Sequence, residues 1–139
     1  MSAPWRYVIV FRVQLEEQMD KEQAASEWIR VCNITEIPDD MGFKLQIEND
    51  HAVAAFRVGQ EYFVVEDKCT HGAASLSEGF IEGFEIECPF HGGKFDLRSG
   101  KPTAFPCTLS IQTHETRIEE GTLYTLIYRD KIQPETKDR

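Results

Sequence analysis

Basic residues are scarce in this sequence of 139 residues. It has 15 lysines and arginines against 24 aspartates and glutamates, which gives a formal net charge of -9 at pH 7. Proteins that bind nucleic acid need a basic face, because much of their affinity comes from displacing counterions from the phosphates. The charge balance therefore argues against a nucleic-acid partner and favours a protein partner with a basic surface.

Long apolar runs are absent as well. Segments such as Tyr7–Phe11 and Ala52–Phe56 are the longest, whereas a membrane-spanning helix needs about 20 apolar residues in succession. The start of the chain also shows no small-residue cleavage pattern of a secretory signal. We therefore expect a cytoplasmic protein without a membrane anchor.

The apolar residues that are present predict an all-β fold. From Trp28 onward, short apolar or alternating segments are separated by turn signals such as "IPDDMG" and "RSGKP", which is typical of a small antiparallel β sandwich or barrel. The alternation fails between Thr70 and Gly83, so this part is expected to be an insertion in the β framework. The predicted strands lie within residues 27–33, 43–48, 51–58, 61–67, 84–90, 93–100, 109–119 and 122–129.

Composition divides the chain into three parts. Residues 1–26 form an N-terminal extension, with an alternating segment that predicts a strand and a polar segment that predicts a short exposed helix or a linker. Residues 27–129 form the main domain, with an inserted subdomain at about residues 66–107, and residues 130–139 form a polar tail. We expect a monomer whose extension packs on a sheet edge; a dimer formed through the extension is the alternative.

Two short clusters carry the chemistry. Cys69 and His71 form a C-x-H motif, and Cys88 and His91 form a C-x-x-H motif. Glycines follow both clusters and allow tight turns that would aim each pair at one site. A structural zinc site usually places like ligands next to each other, and a nucleophilic cysteine would leave the second pair unexplained. A 2Fe–2S cluster held by two cysteines and two histidines would use all four residues.

The segments "CTHG", "CPFHGG" and "KFDLRSG" resemble the Rieske proteins, and especially the Rieske ferredoxins of bacterial aromatic-ring dioxygenase systems. The resemblance spans about residues 28–128 and implies a Rieske 2Fe–2S domain with one cluster. Cys69 and Cys88 would hold one iron. His71 and His91 would hold the other. The residues implied around the cluster, on these two loops and on a third loop in "KPTAFPCT", are Gly72, Ala74, Phe90, Gly92, Gly93 and Pro106, with Pro102 as the second choice of covering proline.

The resemblance also implies a function. Rieske ferredoxins are soluble one-electron carriers rather than enzymes, and they pass electrons from a flavin-dependent ferredoxin reductase to a terminal aromatic-ring-hydroxylating oxygenase. The chain has no G-x-G-x-x-G loop for a nicotinamide or flavin, so its electrons must arrive through another protein. Two alternatives stay open: the Rieske-like small subunit of a nitrite-reductase-type enzyme, and a zinc-stapled interaction module without a redox role.

The remaining cysteines and histidines have simpler explanations. Cys32 and Cys107 have no histidine nearby, and we expect each to be a small buried apolar residue, with a disulfide between them as the less favoured alternative. His51 and His114 lie in different strand regions, so we expect ordinary strand or surface histidines and no second metal site.

Overall fold

The computed structural model describes residues 26–128 of the chain. The chain divides into two compact units, of which the structure describes residues 26–29 with 126–128 in the first and residues 30–125 in the second. The strand and the helix or linker predicted for the N-terminal extension lie outside the described residues, apart from Ser26. The predicted tail at residues 130–139 lies outside them too.

Strands account for most of the regular structure. Between residues 26 and 128 there are two short 3₁₀ turns, Ile34–Glu36 and Leu76–Glu78, and no α-helix, so no helix of this part is long and apolar enough to cross a membrane. The predicted all-β fold is confirmed. The strands are β1 (Ser26–Asn33), β2 (Phe43–Glu48), β3 (His51–Val58), β4 (Glu61–Glu66), β5 (Phe80–Glu82), β6 (Glu85–Glu87), β7 (Lys94–Asp96), β8 (Pro102–Ala104), β9 (Thr113–His114), β10 (Thr116–Glu119) and β11 (Thr122–Tyr128).

The strands of the described residues form three sheets. One has the order β1-β11-β10, in which β10 and β11 are antiparallel. A second has the order β2-β3-β4-β9, and its three pairs are all antiparallel. The third has the order β5-β6-β7-β8 and is also antiparallel throughout. This third sheet lies within the segment for which an inserted subdomain is predicted.

Two of the strands were not predicted. Strand β5 lies in the stretch between Thr70 and Gly83 where no regular β structure was expected, and β8 lies in the proline-containing stretch. Each has three residues, which is too short for a period of two to show along the chain. Strand β8 begins at Pro102 and lies at the end of its sheet order, where a residue without an N–H group is tolerated.

The hydrophobic core of the second unit includes three of the four cysteines. Side chains from β3 and β4 pack in one buried cluster with side chains from β6 and β7 and from the loops next to them. This places thiol groups in apolar surroundings, where charged forms are poorly solvated. The members include Ala54, Phe56, Val65, Leu76, Ile86, Phe95 and Leu97, together with Cys69, Cys88 and Cys107.

Candidate metal centre

The first ligand loop follows strand β4 and is held by hydrogen bonds between its own backbone groups. The Cys69 N–H donates to the carbonyl of Ala74 at 3.0 Å, and the Gly72 N–H donates to the carbonyl of Cys69 at 3.3 Å. The loop therefore makes a tight turn. The Cys69 side chain is buried, whereas His71, two residues further on, is exposed.

The second ligand loop, between β6 and β7, has the same plan. The Cys88 N–H donates to the carbonyl of Gly93 at 2.7 Å, and the Gly92 N–H donates back to the carbonyl of Cys88 at 3.2 Å. Gly92 has a φ of +79°, a conformation that residues with a side chain seldom adopt. Cys88 is again buried and His91 is again exposed. Both motifs thus send the sulfur inward and the imidazole outward.

A third loop, residues 105–110, is connected to the first. Its first peptide bond, Phe105–Pro106, is cis. The Thr70 hydroxyl of the first ligand loop donates to the carbonyl of Leu109 at 2.8 Å. Pro106, the first choice of covering proline, therefore belongs to a loop that is hydrogen-bonded to a ligand loop. Pro102, the second choice, lies in strand β8.

The sulfur atoms lie in a shielded environment that is rich in N–H donors. Cys69 is 1% exposed and Cys88 is 2% exposed. The His71 N–H donates to the Sγ of Cys69 at 3.4 Å, and the backbone N–H groups of Phe90 and His91 donate to Cys88. Burial nevertheless raises the pKa of the Cys88 thiol. A bare thiolate is therefore unfavourable here, but a sulfur bonded to a metal ion and surrounded by N–H donors is well accommodated.

The two predicted imidazole ligands lie next to each other at the surface. The ring centroids of His71 and His91 are 4.9 Å apart, with an angle of 83° between the ring planes. The ring of Phe90 lies beside them, 6.1 Å from His91, and is itself 61% exposed. The structure thus brings together two buried thiols and two solvent-facing imidazoles.

This donor set fits a 2Fe–2S cluster with mixed ligands. Such a cluster would take two protein ligands at each of its two irons. Two thiols from the core and two neighbouring imidazoles provide these pairs. Between residues 26 and 128, no group of three or more Cys, His, Asp or Glu side chains is arranged to hold a single metal ion. A 2Fe–2S cluster instead needs two pairs of protein ligands, one pair for each iron.

Comparison with known families identifies the chain. The family model of the Rieske [2Fe-2S] domain matches residues 27–115. The chain belongs to the Rieske [2Fe-2S] family. Its cofactor is a Rieske-type 2Fe–2S cluster, which supplies one-electron chemistry when bound.

Ferredoxins of oxygenase systems are among the similar proteins. Ferredoxin CarAc of Metapseudomonas resinovorans is 39% identical over 97 residues, which is 70% of this chain and 91% of that protein. The ferredoxin component of the naphthalene 1,2-dioxygenase/salicylate 5-hydroxylase systems of Ralstonia sp is 42% identical over 94 residues, 66% of this chain and 88% of that protein. A structure of the complex of reduced oxygenase and oxidized ferredoxin in carbazole 1,9a-dioxygenase matches with a TM-score of 0.67 and 39% identity, covering 70% of this chain and 91% of that one.

The nitrite-reductase alternative has only a distant likeness to support it. A putative NADH-dependent nitrite reductase small subunit from Mycobacterium tuberculosis matches with a TM-score of 0.65 over 73% of this Rieske chain and 96% of that one. Its sequence identity is 17%, so this likeness shows the fold and nothing about activity.

Cys107 was expected to be an ordinary buried apolar residue, and its position shows more than that. It is a buried, free cysteine, as is Cys32, so the less favoured disulfide between them is not formed. Its Sγ lies 3.8 Å from the Sγ of Cys69. Burial, together with the hydrogen bond to Cys69, raises the pKa of Cys107 to about 12. Nothing in the local sequence signals this contact, because it joins two loops that are far apart along the chain.

His51 and His114 are strand histidines, as predicted, but their separation along the chain does not keep them apart. The Nε2 atoms of both rings contact the same oxygen of Glu66, at 2.9 Å for His51 and 2.8 Å for His114. The two rings meet because β4, which ends at Glu66, lies between β3 and β9 in the sheet. Both are buried, and the Nδ1 of His114 has no hydrogen-bond partner among residues 26–128.

A buried carboxylate fixes the base of the first ligand loop. Asp67 accepts a hydrogen bond from the N–H of Ser77 at 2.9 Å and another from the hydroxyl of Ser75. Its own N–H donates to the carbonyl of Ala52 in β3 at 3.0 Å, and the Nζ of Lys44 in β2 lies 3.7 Å from its carboxylate. The loop that carries Cys69 is therefore anchored to the β2-β3-β4-β9 sheet.

Proposed function

We propose that this Rieske protein is a one-electron carrier that takes electrons from a flavin-dependent ferredoxin reductase and delivers them to a terminal aromatic-ring-hydroxylating oxygenase. The observation that carries the proposal is the pairing of two buried thiols with two exposed imidazoles in a chain that is similar over most of its length to ferredoxin components of dioxygenase systems. The chain is a carrier and not itself the enzyme.

Each ligand pair has a separate task in this proposal. Cys69 and Cys88 would hold one iron, called the inner iron because both sulfurs are buried in the core. Backbone N–H groups there would accommodate the negative charge of the sulfurs. His71 and His91 would hold the other iron. Fewer thiolates leave the reduced site less negative than an all-cysteine site. Potentials for this ligation are accordingly about -150 to +300 mV, against about -400 mV for plant-type ferredoxins.

The exposed imidazoles define where a partner must dock. An electron leaving the site has its shortest path to another protein through His71 or His91, which are adjacent at the surface. Three large apolar side chains are exposed on the second and third loops: Phe90 (61%), Phe105 (83%) and Leu109 (65%). We call them the apolar rim. Exposed apolar side chains around a functional group mark an interaction surface.

Replacing Phe105 with serine should weaken docking without changing the cluster. We expect the carrier concentration that half-saturates the oxygenase to rise roughly tenfold, because burying a phenylalanine contributes at least about 1.5 kcal/mol. The measurement is the rate of oxygenase reduction as a function of carrier concentration. Ile118→Ser is the matched control, since Ile118 is also exposed but lies on β10. An equal effect of both substitutions would contradict the assignment of the docking surface.

The electron-carrier function can be tested by reconstitution. With NADH, a flavin-dependent reductase and a terminal oxygenase of a carbazole or naphthalene system, hydroxylated product should form only when this chain is added. Because the chain carries a net charge of -9, the rate should fall by roughly tenfold between about 0.01 M and 0.5 M salt. Product formation at the same rate without the chain would contradict the function. A rate that does not depend on salt would contradict the electrostatic steering but not the carrier function.

The cellular setting forms a further part of the proposal. We place the carrier in the cytoplasm, in the catabolism of aromatic hydrocarbons, as a monomer with a Rieske domain at residues 27–129, a cluster-binding subdomain at about residues 66–107, and flanking segments at residues 1–26 and 130–139. Sedimentation of the purified holoprotein would test the monomer.

A further inference from the structure

Cys107 is held against a predicted ligand by the shape of the second ligand loop. A Cβ atom placed on Gly93 would overlap the Sγ of Cys107 and would lie 3.0 Å from its backbone nitrogen and 3.1 Å from its Cβ. The Cys107 side chain therefore occupies the space left by the missing side chain at Gly93. Its N–H is fixed by the carbonyl of Ala104 at 3.2 Å. From this position its sulfur reaches the Sγ of Cys69, 3.8 Å away.

The chemistry of the two sulfurs decides which one donates. A cysteine bonded to iron has lost its proton and can only accept a hydrogen bond. Cys107 is 4% exposed and is not needed as a ligand, so it keeps its S–H group. The hydrogen bond between them must therefore run from the S–H of Cys107 to the sulfur of Cys69.

A donor to a ligating sulfur changes the energy of the two redox states unequally. An added electron makes the ligand sulfurs more negative, and a hydrogen bond to them becomes stronger. We propose that Cys107 is a positioning residue that donates its S–H to Cys69 and thereby raises the reduction potential of the cluster. The proposal rests on the proposed ligand role of Cys69.

Three variants separate a hydrogen-bonding role from a packing role. Cys107→Ala removes the donor, Cys107→Ser keeps an O–H donor of similar size, and Cys32→Ala removes a different buried thiol. We expect Cys107→Ala to lower the equilibrium constant for reduction about threefold, which corresponds to about 30 mV at 59 mV per tenfold change for one electron. The equilibrium constant for reduction of Cys107→Ser should stay closer to that of the unmodified protein, and that of Cys32→Ala should equal it.

The measurements are the midpoint potential and the iron and acid-labile sulfide content of each holoprotein. An unchanged potential in a fully loaded Cys107→Ala variant would overturn the proposal. Equal lowering by alanine and serine would also overturn it, since packing and not the donor would then be responsible. The ligand assignment has its own test: a Cys69→Ala variant that keeps its full iron content would show that the assignment has failed, independently of what Cys107 does.

A second measurement does not depend on whether the Cys107 variants bind a cluster. In Cys32→Ala holoprotein, Cys107 should carry the only S–H group, because the other two cysteines are iron ligands in this proposal. Its S–H stretching band in the infrared should move to lower frequency when the cluster is reduced, as the hydrogen bond strengthens. A band that is the same in both redox states would overturn the proposal.

Discussion

Cys88→Ala should yield a protein that binds almost no iron. Cys88 supplies one of only two thiols assigned to the inner iron, and its sulfur is buried among N–H donors that no alanine side chain can use. Loss of a direct ligand should cost more than the roughly 10- to 100-fold in metal affinity that is typical for loss of a residue behind a ligand. We therefore expect the iron and acid-labile sulfide content, and the visible absorbance, to fall by at least about tenfold.

The control for this variant is Cys32→Ala. Cys32 is a free cysteine that is as deeply buried as Cys88, but it lies on strand β1 and not on a ligand loop. The Cys32→Ala variant should keep its full cluster content, although loss of the buried sulfur should lower the free energy of unfolding by about 1 kcal/mol. Full iron content in Cys88→Ala would show that Cys88 is not a ligand and would remove the proposed division of the four residues into two pairs.

Gly93→Ala should lower the iron content about as much as Cys88→Ala does, but for a different reason. The added methyl group would meet the side chain and the backbone of Cys107, and the backbone cannot move aside as a flexible side chain can. The second ligand loop would then shift, and the hydrogen bond from the N–H of Cys88 to the carbonyl of Gly93 would be disturbed. We expect a loss of roughly 2 kcal/mol in the free energy of unfolding and loss of most of the cluster.

Gly72→Ala is the matched control for the crowding at Gly93. Gly72 is in the other ligand loop, its φ is not positive, and an added Cβ would meet no atom of residues 26–128 within 4 Å. This variant should keep its cluster and its thermal stability. In addition, Cys107→Ala should partly restore iron binding to Gly93→Ala, since it removes the overlapping sulfur. Equal behaviour of Gly93→Ala and Gly72→Ala, measured by iron content and by thermal unfolding, would contradict the steric argument.

The sequence predicts most of the fold because many strands are long enough to show their pattern. Strand β2 alternates in exposure along its six residues, and β3 is a nearly continuous buried run; both patterns are visible in the letters. Strands β5 and β8 have three residues each, and they exist because β6 and β7 lie next to them. Pairing of this kind depends on tertiary structure, which local periodicity does not record.

The candidate site was predictable to a different degree at each residue. The clustered Cys69, His71, Cys88 and His91 have an informative spacing and a family resemblance. Cys107 has neither, because its contact with Cys69 depends on how the third loop packs against the other two. The glycines of the two loops differ in a way that their letters do not show: Gly92 has a positive φ and Gly93 is close to Cys107, whereas Gly72 does not have a positive φ.

The anchoring of the first ligand loop bears on how fast an electron can move. The carboxylate and the N–H of Asp67 connect the base of that loop to Ser77 and to the carbonyl of Ala52. We expect atoms held in this way to change position little when a bound cluster gains or loses an electron. A small reorganisation energy would follow, and with it rapid reduction and reoxidation under a small driving force.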